Sequence, residues 1–247
     1  MGRTYEALEW ADRESQEARQ RGNADFLVEG RSAVIPAALV SPSGQQYEDL
    51  KTNLLTRYPD GSVKTILITG TIAGEGTSTT AISLAAALAR DASLKVVLID
   101  VNLRRPGLHR ILQVDNRHGV LDLLDENSRG VSPIKVGPGN LDVIPCGGRH
   151  DDPATLFKSD TFDQLLRAAR DGYDYVILDA PPVQGFSECR ILCPKVDGVV
   201  LVIGSGKIRR EVALSAKRQL EDAGAKILGV VLNRRKFYIP GFIYRWL

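Results

Sequence analysis

No run of about 18 consecutive apolar residues occurs in the 247-residue chain, so no stretch is written as a membrane-spanning helix. Cysteine is scarce. Cys146, Cys189 and Cys193 form an odd set with no Cys-x-x-Cys pair, which argues against a disulfide framework or a zinc module and for ordinary buried thiols in a reducing compartment. His109, His118 and His150 show no metal-ligand spacing. An excess of one charge is lacking too: 32 Lys and Arg face 30 Asp and Glu, a balance that argues against a general nucleic-acid binder. Residues 1–25 are charged throughout and hold no apolar stretch of the kind a secretory leader needs, so a cytoplasmic protein is expected.

What is present is a substantial core, with 43% hydrophobic residues. Residues 4–21 are rich in helix formers and charge, and residues 22–44 carry Gly, Pro and Ser with little periodicity, as a linker does. A helix is expected from Gln45 to Thr56, with Tyr47, Leu50, Leu54 and Leu55 on one side. From residue 63 short β-rich runs recur: VKTILIT (63–69), KVVLID (95–100), LDVIP (141–145), DYVILD (174–179), GVVLVI (198–203) and KILGVVL (226–232). Most do not alternate polar with apolar, which suits strands buried on both faces of a parallel sheet. Helical patterns over 77–90 and 208–223 separate some of them, and such repeated strand–helix–strand units predict a three-layer, doubly wound, mostly parallel α/β sheet. The expected division is residues 1–44 as helix and linker, 45–233 as the α/β domain and 234–247 as a basic, aromatic tail.

Ligands of such sheets bind outside the carboxyl ends of the strands. The first strand runs into ITGTIAGEGTSTT (68–80), the second into Asp100 and the fourth into Asp179, so all three converge on one rim. Gly74 and Gly76 let backbone amides point inward as an anion nest, and the helix from Thr77 adds its positive end. Ser78 stands where a phosphate-loop hydroxyl would hold Mg²⁺. A carboxylate at the end of a buried strand is costly without a cation or firm hydrogen-bond donors, and Asp179 after Tyr-Val-Ile-Leu has the form of a Walker B acid. The plainer alternatives are a glycine turn with no ligand and strand-end acids that cap turns.

These motifs resemble the bacterial tyrosine kinases (BY-kinases) of capsule and exopolysaccharide production, within the phosphate-loop superfamily that includes MinD and ParA. The resemblance is carried by GEGTST, VVLIDVNLRRPGLHRIL and YDYVILDAPPV, with DGVVLVIGSGKIRREV, LGVVLNR, TYEALEWA and QQYEDLKTN in support. It implies that ATP and Mg²⁺ are the cofactors. Gly74, Glu75, Gly76, Thr77, Ser78 and Thr79 would wrap the phosphates, Ser78, Asp100 and Asp179 would hold the metal and its waters, and Asn233 would contact adenine. Arg104 and Arg105 would meet phosphate or a neighbouring subunit, and Tyr238 and Tyr244 would be candidate phosphorylation sites. The implied partners are a membrane-anchored co-polymerase or activator and further copies of the chain, at the inner face of the membrane.

Four departures from the family pattern stand out. Thr77 occupies the lysine position of the phosphate loop, and the loss of that charge is expected to cost about 3–4 kcal/mol of transition-state stabilisation, by analogy with a lost oxyanion donor. Lys64 and Lys95 lie at the amino ends of their strands, which leaves Arg104, Arg105 or a partner's residue as substitute cations. Asn102 replaces the second acid of the family's D-x-D, and Gln45, Glu48 and Lys51 stand at its E-x-x-R-x-x-R positions with the central charge reversed. The tail FYIPGFIYRWL has only two tyrosines. The expected function is thus a tyrosine autokinase or a catalytically weakened regulator of polysaccharide export. The alternatives are a ParA/MinD-like positioning ATPase, disfavoured by Ile72 where those proteins carry an extra lysine, and a non-enzymatic scaffold.

Overall fold

The computed structural model describes residues 44–125, 131–137 and 139–234. The expected helix over 4–21 and the tail with Tyr238 and Tyr244 lie outside these residues. Helix α1 (Gly44–Arg57) precedes β1 (Thr65–Gly70), α2 (Thr77–Ala89) and β2 (Val96–Asp100). The short helices α3 (Leu108–Leu112) and α4 (Val120–Leu124) follow, then β3 (Ile134–Lys135), β4 (Leu141–Ile144), α5 (Pro153–Phe157) and α6 (Asp160–Gly172). The remaining elements are β5 (Tyr175–Asp179), α7 (Glu188–Leu192), a 3₁₀ turn (Cys193–Lys195), β6 (Gly198–Gly204), α8 (Arg210–Asp222) and β7 (Ile227–Asn233).

The sheet runs β3-β4-β2-β5-β1-β6-β7, and every pairing is parallel except that of β3 with β4. Residues of β1, β2 and β5 are all buried, and alternate side chains feed two separate cores. Leu67, Val97, Ile99, Val176, Leu178, Val199 and Leu201 face one layer, made with Phe157, Phe162, Leu165, Leu192 and Leu220. Ile66, Ile68, Val96, Leu98, Ile177 and Val202 face the other, made with Leu54, Ile82, Leu84, Leu88 and Leu108. This is the expected three-layer arrangement, and it explains why the strands read as unbroken apolar runs.

Helix α6 joins the expected helices. Ser159 caps its amino end by accepting from the Phe162 amide at 3.2 Å, and Phe162, Leu165, Leu166 and Ala169 bury one side. Helix α1 packs beside α2, and Glu48 bonds Arg90 at 2.7 Å across the pair. The reversed charge at Glu48 is thereby paired within the chain. The three cysteines are free and buried, as expected, and burial pushes the Cys189 thiol up to about 12 and that of Cys193 to about 11.

Candidate functional site

The three segments singled out at strand ends do meet. Strands β2 and β5 are neighbours in register, with Asp100 opposite Asp179, and β1 lies on the other side of β5 with Ile68 opposite Asp179. The loop leaving β1 therefore starts beside the two acids. It is knitted to the Asp179 loop by the amides of Val183 and Gln184, which donate to the carbonyls of Gly70 (2.9 Å) and Thr71 (3.0 Å). The Thr69 hydroxyl and the Cys189 thiol both donate to the Pro181 carbonyl, at 2.7 and 2.8 Å, and fix the turn after Asp179 from beneath.

Backbone geometry makes the cradle. Gly74 (φ 81°) and Gly76 (φ 91°) take left-handed conformations that other residues rarely adopt. A Cβ on Gly76 would also lie 2.1 Å from the Asn233 Nδ2 atom. Gly76 is the residue preceding α2, and no side chain caps this amino end. The first-turn amides of a helix have no partner within it, so those of Thr77, Ser78 and Thr79 are the natural donors to an anion.

Glu75 holds the loop in shape. Its side chain is fully buried and accepts from the Thr71 amide (2.6 Å), the Ile72 amide (2.9 Å) and, at the end of β6, the Gly204 amide (2.9 Å). Asn233 donates to the Glu75 carbonyl at 2.9 Å, so it sits against the loop. The Thr77 hydroxyl lies over Gly70, 2.6 Å from where a Cβ would be, turned toward the end of β1.

The acids are in contrasting states. Asp100 accepts from the amides of Asn102 (3.1 Å), Gly107 (3.1 Å) and Leu108 (3.2 Å), yet burial still raises its carboxyl to about 6. Asp179 is fully buried, and neither carboxylate oxygen has a hydrogen bond of normal geometry. Burial, and then the charge of Asp100, push its carboxyl well above the ordinary 3.8, and the nearby Ser78 hydroxyl offsets only part of this. The Ser78 Oγ atom is 3.5 Å from the Cβ position of Gly107, on the loop that Asp100 holds.

A buried carboxylate without donors asks for a cation. Ser78, Asp100 and Asp179 offer hard oxygen atoms, which fit a small divalent ion that keeps water and phosphate oxygens in its shell. Among the described residues no group of three or more His, Cys, Asp or Glu forms an all-protein cage.

The arginines are placed differently from each other. Arg104 bonds the buried Glu188 through Nε at 2.5 Å, donates to the Asp151 carbonyl and lies 5.9 Å from the centre of the Phe186 ring. It braces the loop after β2 against α7. Arg105 is exposed, on a turn whose amide is held by the Asn102 side chain at 3.3 Å. Asn102 thus serves the turn where the family pattern has an acid.

One cation that the sequence reading did not single out lies at the cradle. The Nζ atom of Lys207 donates to the Gly74 carbonyl at 2.8 Å. Its sequence signal was its place three residues after β6, whose carboxyl end shares this rim. The role of Glu75 carried no such signal, since its bond to Gly204 spans 129 residues.

Comparison with known proteins agrees with this geometry. Residues 62–242 match the ParA family model described as NUBPL iron-transfer P-loop NTPase. The chain is 33% identical over 225 residues to the tyrosine-protein kinase YwqD of Bacillus subtilis, covering 91% of each chain. It is 31% identical to the tyrosine-protein kinase CpsD of Streptococcus agalactiae, covering 77% of this chain and 82% of that one. The solved kinase domain of the Escherichia coli tyrosine kinase ETK superposes with a TM-score of 0.75 at 29% identity, over 90% of this chain and 89% of that one. With a ParA-type phosphate-loop fold and relatives of this similarity over nearly its whole length, the chain belongs to the bacterial tyrosine-protein kinase family.

Proposed function

We propose that the protein binds ATP with Mg²⁺ at this rim and acts in exopolysaccharide or capsule production as a slow tyrosine autokinase. The observation that carries this reading is Asp179, buried, without a hydrogen bond of normal geometry, and paired in register with Asp100 beside an uncapped helix end. The amides of residues 74–79 would receive the phosphates. Ser78, Asp100 and Asp179 would hold Mg²⁺, which when bound offsets charge on the phosphate oxygens. Asn233, already against the loop, would border the adenine. Arg105, exposed on its turn, would be available to a phosphate or a second copy of the chain.

Transfer is slow in this reading because Thr77 brings a hydroxyl where the family has an ammonium, at a cost of about 3–4 kcal/mol in the transition state. The acceptors would be Tyr238 and Tyr244. The 234–247 tail, basic and aromatic, would dock the protein on a membrane-anchored activator at the inner face of the membrane. Among the described residues no helix is long and apolar enough to cross a membrane.

Incubating the purified protein with labelled ATP and Mg²⁺ tests this. Slow labelling of tyrosine is expected, faster in Thr77→Lys and abolished in Asp179→Ala. Labelling that persists in Asp179→Ala would refute the site. ATP binding with no labelling in either the wild type or Thr77→Lys would refute the kinase reading and leave a nucleotide-dependent regulator.

A further inference from the structure

The exit of β6 carries a device that the phosphate loop itself lacks. Gly206 takes a left-handed conformation (φ 70°), and the Lys207 amide donates back to the Gly204 carbonyl at 3.1 Å, closing a tight turn. This turn is anchored at two further points. The Gly204 amide donates to Glu75, and the Ser205 amide donates to the Asn233 carbonyl at 2.8 Å. The lysine stem then lies over Gly204, with its Cδ atom 3.1 Å from the position of a Cβ there. Its head reaches the Gly74 carbonyl at 2.8 Å, and Nζ is 3.6 Å from the Cβ position of Gly74.

An ammonium has three donors, and Gly74 takes one. Among the described residues no acid forms an ion pair with Lys207. Glu75, the nearest acid of the loop in sequence, is occupied by backbone amides. A positive charge is therefore held on the lip of the cradle by a braced turn, with donors to spare. Of the two cations that the sequence suggested, Arg104 is paired with Glu188 and Arg105 is exposed on its turn.

We propose that Lys207 brings a positive charge to the binding of the terminal phosphates of a nucleoside triphosphate, from the β6 side of the loop, without restoring the transition-state contact that the absent phosphate-loop lysine would make. This rests on the nucleotide-binding reading above and deepens it. The turn presents the ammonium to an anion seated on the amides of residues 74–79, and that anion exchanges the Gly74 carbonyl for a charge-assisted contact.

Calorimetric titration of the full-length protein with ATP and with AMP, each with Mg²⁺, tests the assignment. In Lys207→Gln the ATP affinity should fall about 10- to 100-fold, as for one lost hydrogen bond to a charged group, and the AMP affinity should not change. Lys207→Arg should retain ATP binding, and the double variant Thr77→Lys/Lys207→Gln should recover it. Unchanged ATP affinity in Lys207→Gln, an equal loss for AMP, or no recovery in the double variant would each overturn the role of Lys207 while leaving the nucleotide site intact. No ATP binding by the wild-type protein would overturn both.

Discussion

Replacing Asp179 by Asn should make the protein more stable at neutral and alkaline pH while destroying its site. Asp100, with three amide donors, is still raised from 3.8 to about 6, so holding it ionised in the folded protein costs about 3 kcal/mol. Asp179 is as deeply buried without those donors, and burial and then the charge of Asp100 push its carboxyl well above 3.8. Asn never ionises and so escapes that cost, and its buried amide lacks partners much as the neutral carboxyl does. The gain should read as a rise in Tm at pH 8, since about 1 kcal/mol moves a domain of this size by roughly 2–4 °C.

The pH dependence gives the prediction its edge. Below the unfolded value of 3.8 the carboxyl is neutral in both states, and the substitution should change little. As pH rises above it, the unfolded chain releases its proton first, so wild-type stability drains away until the raised folded value is passed. The advantage of Asp179→Asn should therefore be near zero at pH 4 and grow as the pH rises to 8. Thermal unfolding of both proteins across that range, without divalent ions, is the assay. A variant less stable than wild type at pH 8, or equally advantaged at pH 4, would refute the reasoning. Adding ATP and Mg²⁺ should raise the Tm of the wild type and leave that of the variant unmoved.

The remaining predictions concern the frame of the site. Glu75→Ala leaves two buried amides and the half-buried Ile72 amide without an acceptor and should cost roughly 3 kcal/mol or more in denaturant unfolding. Gly119→Ala places a Cβ 2.0 Å from the Pro145 carbonyl oxygen and 2.4 Å from the Gly147 nitrogen, backbone atoms that yield little, so a loss of about 2–3 kcal/mol is expected by the same measurement. Gly172→Ala, where a Cβ meets nothing within 4 Å, should instead gain up to about 1 kcal/mol from the helical preference of alanine. Glu188→Gln should loosen the loop after β2 by weakening the bond to Arg104, read as faster hydrogen exchange at residues 102–107.

Much of this architecture was legible because the strands of a doubly wound sheet are buried on both faces. Val96–Asp100 and Tyr175–Asp179 read as apolar runs that end in an acid, and a carboxylate there calls for an explanation whatever the fold. The glycines at 74 and 76 were equally plain, since the left-handed backbone they adopt is the reason for their type. Glu75 and Lys207 could not be read the same way. A loop glutamate and a turn lysine look solvated, and their contacts appear only when β6 is laid beside β1, which brings Gly204 and Lys207 to residues about 130 positions earlier. The Arg104–Glu188 pair, 84 residues apart, was hidden for the same reason. Strand β3, two residues long and antiparallel, is too short to carry a pattern.

The most direct measurement is calorimetric titration of ATP into the wild-type protein and Asp179→Ala, each with Mg²⁺ and with a chelator. Saturable one-to-one binding by the wild type alone, and only with Mg²⁺ present, is the predicted result. Binding of equal strength in Asp179→Ala, or binding indifferent to the metal, would contradict a site in which the buried acids and the glycine loop act together.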